Sequence, residues 1–140
     1  MIKLHDLYFK PFISEQKIDA AVQQMADKVA TDLGDEVPVF IGILNGSFML
    51  VSDFVKKYPK PCEVTFIKLA SYEGVKSTED IQRLIGLTQD LTGRTVVILE
   101  DIIDSGNTLE EVHRIFKNEN VKQLLIATLF YKPEAYKKDF

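Results

Sequence analysis

An uninterrupted, mostly β-branched run, Thr95 to Leu99, leads directly into Glu100, Asp101 and Asp104 and then into the small polar turn Ser105-Gly106-Asn107-Thr108. Apolar residues at consecutive positions from Val96 to Leu99, with no polar alternation, mark a strand covered on both faces, which occurs where helices flank a parallel sheet. The carboxyl end of such a strand is where open α/β sheets place their ligands. Three carboxylates in five positions at that end repel one another unless a cation or hydroxyl donors arrive. Asp104, Ser105 and Asn107 are also good helix caps, but capping accounts for one or two of them and leaves the acid cluster unexplained.

The same sequence grammar recurs upstream. Val37 to Leu44 reads as a second buried strand, Asn45-Gly46-Ser47 as a turn, and Phe48, Val51, Phe54 and Val55 as the apolar face of a helix. Ser14 can cap a helix from Glu15 to Leu33 whose stripe is Ile18, Ala21, Val22, Met25, Val29 and Leu33. A strand from Glu63 to Ala70, a short one from Leu84 to Leu87, a helix from Glu110 to Asn118 and a strand from Val121 to Phe130 complete the pattern. Alternating strand and helix units predict an α/β fold with a doubly wound, mainly parallel sheet. At 140 residues and 46% hydrophobic, residues 1–140 are expected to form one domain. Residues 71–83 lack periodicity and are long for a compact connection, which predicts a lid.

A net charge of -4 gives no basic field for nucleic acid. No apolar run reaches membrane-spanning length, and Lys3, His5, Asp6 and Lys10 interrupt the first fourteen residues, so neither a membrane span nor a signal segment is expected. Cys62 is the single cysteine and reads as a small core residue in a reducing, cytoplasmic setting. His5 and His113 have no metal partner at helical spacing.

The chemistry of the acidic strand end suits a sugar phosphate carrying a metal. In extended backbone Glu100 and Asp101 are expected to diverge to opposite faces, where they can grip vicinal ribose hydroxyls. The turn from Ser105 to Thr108 can point backbone N–H groups inward at the start of the next helix, a site for a phosphate monoester. Neither G-x-x-x-x-G-K-[ST] nor G-x-G-x-x-G occurs, so triphosphatase and dinucleotide readings lose their main support.

Glu100-Asp101-Ile102-Ile103-Asp104-Ser105-Gly106-Asn107-Thr108 resembles the phosphoribosyl-pyrophosphate (PRPP) signature of type I phosphoribosyltransferases, in particular the hypoxanthine-guanine group. Gly42 to Ser47 resembles the pyrophosphate loop, Lys68 to Tyr72 the start of the lid, and Leu129 to Lys132 the strand end with a purine-reading lysine. The resemblance implies displacement of pyrophosphate from PRPP by a 6-oxopurine, with Mg2+ held by Glu100 and Asp101 directly or through water. Asp104 would take the purine proton, and Ile103 would pack beside the base. Ser105, Gly106, Asn107 and Thr108 would hold the 5-phosphate. Leu44 leads into Asn45-Gly46-Ser47, which would hold pyrophosphate through backbone donors, with a cis peptide before the second residue of that loop. Many relatives have Lys where Asn45 stands, so one cation is lost there. Ser71 and Tyr72 would close over PRPP, and Lys132 would read the purine oxygen.

Family members continue beyond the position of Phe140 into a hood that supplies a stacking aromatic ring, an acidic residue for magnesium and an arginine for pyrophosphate. The resemblance therefore implies a chain that keeps the PRPP half of the site, lacks part of the purine half and turns over slowly. It also implies a homo-oligomer. The alternatives are a non-catalytic PRPP-binding regulator, against which the acidic charge argues, and a phosphoribosyltransferase with pyrimidine or xanthine preference.

Overall fold

A computed structural model of the chain describes residues 1–69 and 89–139. The expected lid and the short strand from Leu84 to Leu87 lie outside those residues.

Two short strands, β1 (Ile2–Leu4) and β2 (Leu7–Phe9), pair as an antiparallel hairpin, turned at His5 with φ 53°. Helix α1 (Glu15–Leu33) starts at Ser14, whose hydroxyl accepts the Lys17 N–H at 3.3 Å, and ends at Gly34. Then follow β3 (Val39–Leu44), α2 (Phe48–Lys57), β4 (Glu63–Lys68), β5 (Thr95–Ile103), α3 (Asn107–Phe116) and β6 (Gln123–Tyr131). The main sheet has the order β4-β3-β5-β6, with every neighbouring pair parallel.

Strand alternation divides the core between the two faces. Phe40, Val97 and Leu99 pack with Val22, Ala26, Ala30 and Leu33 of α1 and Val51 and Phe54 of α2. Val39, Ile41, Ile43, Val96 and Ile98 pack with Val112 and Phe116 of α3. The sheet is thus wound on both sides, as expected from its uninterrupted apolar strands. Phe40 meets Phe54 and Tyr58 edge-on, each at 4.9 Å between ring centroids, and anchors α2 to the sheet. Ala26 and Ala30 are buried on α1 although the expected stripe omitted them, because their small side chains let the helix approach the sheet.

The order of strands fixes where a ligand can sit. From β3 the chain crosses through α2 outward to β4, and from β5 it crosses through α3 outward to β6 in the opposite direction. The winding reverses between β3 and β5, so their carboxyl ends flank the crevice at a topological switch point. Gly42 permits the close packing just beneath it: a Cβ there would lie 2.7 Å from Val51 Cγ2 and 2.8 Å from the Phe66 ring.

Candidate active site at the carboxyl ends of β3 and β5

β3 ends in a loop whose first peptide, Leu44–Asn45, is cis. The bond lies at the entry to Asn45-Gly46-Ser47 rather than within it. Asn45 and Gly46 are exposed, whereas Ser47 is fully buried. Both donors of Ser47 turn inward: its N–H and its hydroxyl donate to the Ile43 carbonyl at 3.1 and 2.8 Å. Its own carbonyl accepts the Val51 N–H at 2.8 Å and starts α2. Ser47 therefore ties the loop to the strand and helix, and the loop's outward backbone is that of Asn45 and Gly46.

Gly46 meets the acidic strand end directly. A Cβ on it would lie 3.1 and 3.2 Å from the two carboxylate oxygens of Asp101, so the absent side chain brings loop and carboxylate together. β5 continues through the acids to Ile103, pairing Glu100 with Thr128, Ile102 with Phe130 and Ile103 with Tyr131 of β6. The central strand was expected to run as far as Glu100; the ladder with β6 carries the extended backbone on to Ile103 although carboxylates are poor strand formers.

The pleat directs Glu100 and Asp101 to opposite faces, but their carboxyl groups still interact, which the expectation of divergence did not include. Glu100 is only 7% exposed. Burial, then a side-chain hydrogen bond with Asp101 and the Asp101 charge, push its carboxyl from 4.5 up to about 8. Its Oε2 is buried without a hydrogen-bond partner among the described residues. Asp101 Oδ1 accepts the Ile102 N–H at 3.0 Å.

An orphaned carboxyl oxygen beside the Asp101 carboxylate is a fit for a hard cation, whose binding would release the Glu100 proton. No group of three His, Cys, Asp or Glu that could hold a metal occurs among the described residues. Two carboxylates suit magnesium, which usually takes one or two of them and completes its shell with water and substrate phosphates.

Beyond the strand, Asp104 and Lys132 face each other at 3.5 Å, both more than half exposed. The Lys132 N–H donates to the Ile103 carbonyl at 2.9 Å, so the end of β6 is locked beside half-buried Ile103. The turn that follows opens α3 without a side-chain cap: the N-cap is Gly106, at φ 88°. Capping by Asp104, Ser105 or Asn107 is not how this helix begins. Its first N–H groups have no side-chain cap to satisfy them, and α3 begins with the amides an anion would take.

The fold thus gathers Asn45, Gly46, Glu100 and Asp101 at the switch point, with Asp104, Lys132 and the turn 105–108 continuing from β5 and β6. Ser71 and Tyr72 lie outside the described residues. Two features have no signal in residue pattern: the burial of Glu100, which pairs with Thr128 of β6, and the segment after Lys132, which packs on Gly106 and carries no periodicity.

A phosphoribosyl transferase domain model matches residues 13–139. The chain is 38% identical over 131 residues to a hypoxanthine phosphoribosyltransferase of Salmonella typhimurium, covering 91% of this chain and 73% of that protein. Among solved structures, a hypoxanthine-guanine phosphoribosyltransferase from Bacillus anthracis matches with a TM-score of 0.79 at 34% identity, over 92% of this chain and 75% of the other. A hypoxanthine phosphoribosyltransferase from Staphylococcus aureus matches with a TM-score of 0.83 at 29% identity, over 94% and 72%.

Proposed function

The chain belongs to the phosphoribosyltransferase family, among the hypoxanthine and hypoxanthine-guanine enzymes, and from that premise we propose that it transfers phosphoribose from PRPP to a 6-oxopurine in purine salvage. The products are the purine nucleotide, IMP or GMP, and pyrophosphate. The observation that carries this reading is the pairing of a buried, orphaned carboxyl at Glu100 with the Asp101–Gly46 contact at the switch point.

In this reading the 5-phosphate sits on the backbone N–H groups of the turn 105–108, where the helix dipole and the uncapped amides favour an anion. Asn45 and Gly46 offer their outward backbone to pyrophosphate, and Ser47 holds that backbone in place. Glu100 and Asp101 accept from the ribose hydroxyls and hold Mg2+, directly or through water. When bound, the ion offsets charge on the pyrophosphate as it departs.

As the bond from ribose to pyrophosphate breaks, the sugar gains oxocarbenium character, and nearby carboxylates stabilise that charge better than neutral groups would. Asp104 takes the proton from the imidazole ring of the purine as the new bond to C1 forms. Lys132 donates to the purine oxygen, where adenine carries an amino group that cannot accept. The base displaces an exposed ion pair between these two residues, which costs less than about 1 kcal/mol. Cytoplasmic residence is part of the proposal, which the single cysteine suits, as is homo-oligomerisation, for which the exposed apolar residues Ile2, Leu4, Leu7, Tyr8 and Phe9 offer a surface. No helix among the described residues is long and apolar enough to cross a membrane.

The test is a base panel with PRPP and Mg2+: hypoxanthine, guanine, xanthine, adenine and uracil. Nucleotide formation with hypoxanthine or guanine and none with adenine or uracil supports the reading. Turnover of adenine or uracil in preference would overturn it.

A further inference from the structure

The segment after β6 does not run away from the site; it folds back over the turn that opens α3. The Lys132 carbonyl accepts N–H groups from Ala135 at 3.1 Å and Tyr136 at 3.2 Å, which closes a turn. The Lys137 N–H then donates to the Ser105 carbonyl at 3.2 Å. Tyr136 stands edge-on to Tyr131 at the end of β6, with ring centroids 5.7 Å apart. Lys138 forms an ion pair with Glu110 in the first turn of α3, at 2.5 Å.

Gly106 lies beneath this segment. A Cβ on it would sit 2.7 Å from Lys138 Cγ and 2.8 Å from Tyr136 Cε2. The residue with the left-handed φ of 88° is therefore packed from outside by the tyrosine ring and the lysine stem. Left-handed backbone is readily accessible to glycine but not favoured over its other basins, so glycine alone does not hold this shape. Contacts from a second element are what select it.

We propose that residues 132–138 act as a strap for the turn 105–108, with Tyr136 as a positioning residue that keeps the backbone N–H groups in the shape that receives the 5-phosphate of PRPP. The inference rests on the proposed function. It adds a residue, Tyr136, that acts through Gly106 and touches no substrate. It also joins the two ends of the reaction, because the strap begins at Lys132 and finishes on the phosphate turn. An ion pair more than half exposed on the Glu110 side contributes little by itself, so the ring rather than the Lys138–Glu110 pair carries the positioning.

The experiment compares wild type with Tyr136→Ala, Tyr136→Phe and Lys138→Met, measuring binding of ribose 5-phosphate and of PRPP with Mg2+ by calorimetry alongside KM and kcat. Tyr136→Ala is expected to weaken both ligands by about tenfold and raise KM for PRPP in step, with kcat at saturating PRPP within about threefold of wild type. Tyr136→Phe keeps the ring and is expected to bind as wild type does. Lys138→Met keeps the stem against Gly106 and is expected to change binding by less than about threefold. If Tyr136→Ala does not fold, Tyr136→Leu takes its place with the same expectations. Wild-type binding with an unchanged Tyr136→Ala variant overturns the strap while leaving the proposed function intact. A wild-type chain that binds neither ligand overturns the reading of the turn and the strap with it.

Discussion

Replacing Glu100 by Gln tests whether the fold carries a buried acid that its own packing disfavours. Glu100 is 7% exposed, and burial first, then the hydrogen bond and charge of Asp101, push its carboxyl from 4.5 to about 8. Between those values the folded chain binds this proton and the unfolded chain does not. Stability from this group is therefore fully present below about pH 4.5, falls as pH rises and levels off above about pH 8. At roughly 1.4 kcal/mol for each pH unit, the loss has a ceiling of about 5 kcal/mol, and relaxation around the carboxylate brings it to several kcal/mol. Gln keeps the shape, stays neutral at every pH and can donate to the Asp101 carboxylate. Urea unfolding in the presence of a chelator, at about pH 5, 7 and 9, measures the difference. Wild type and Glu100→Gln should be nearly equal at the lowest pH, with the variant more stable by several kcal/mol at the highest. A difference of the same size at all three values would refute the argument, because a pH-independent change has no proton in it.

Gly42→Ala drives a methyl into Val51 and the Phe66 ring at 2.7 and 2.8 Å. Overpacking of about 1–3 kcal/mol outweighs the gain of about 0.4–1 kcal/mol from a stiffer unfolded chain, so calorimetry should show a lower Tm. Asp101→Asn should weaken Mg2+-dependent PRPP binding, whereas Asp104→Asn should lower kcat with little change in PRPP affinity; steady-state kinetics with calorimetry separates the two. Ser47→Ala removes the hydroxyl bond to Ile43 but leaves the carbonyl its N–H partner. It should cost about 1 kcal/mol in urea unfolding and retain pyrophosphate binding.

The parts of the fold that follow from local pattern were legible in the residues. The largely apolar runs at 39–44 and 95–99 needed cover on both faces, and Ser14 marked the start of α1. The acidic strand end could be recognised because like charges so close require a ligand. What escaped depends on contacts distant in sequence. β5 runs past Glu100 to Ile103 because β6 pairs with it, and Glu100 is buried within that ladder. The β1–β2 hairpin has strands of three residues, too short for an alternation to register. Ser47 carries a hydroxyl that reads as a ligand group but points back to Ile43, an orientation no residue type encodes. Tyr136 and Lys138 meet Gly106 through a turn without apolar periodicity, so only the folded chain shows them together.

Calorimetric titration of PRPP into the chain, with and without Mg2+, bears most directly on the central claim that the carboxyl ends of β3 and β5 hold a magnesium-bound sugar pyrophosphate. The expected result is saturable binding at one site per chain that needs Mg2+ and is lost in Asp101→Asn. Absence of binding, or binding of equal strength without Mg2+ and in Asp101→Asn, would contradict it.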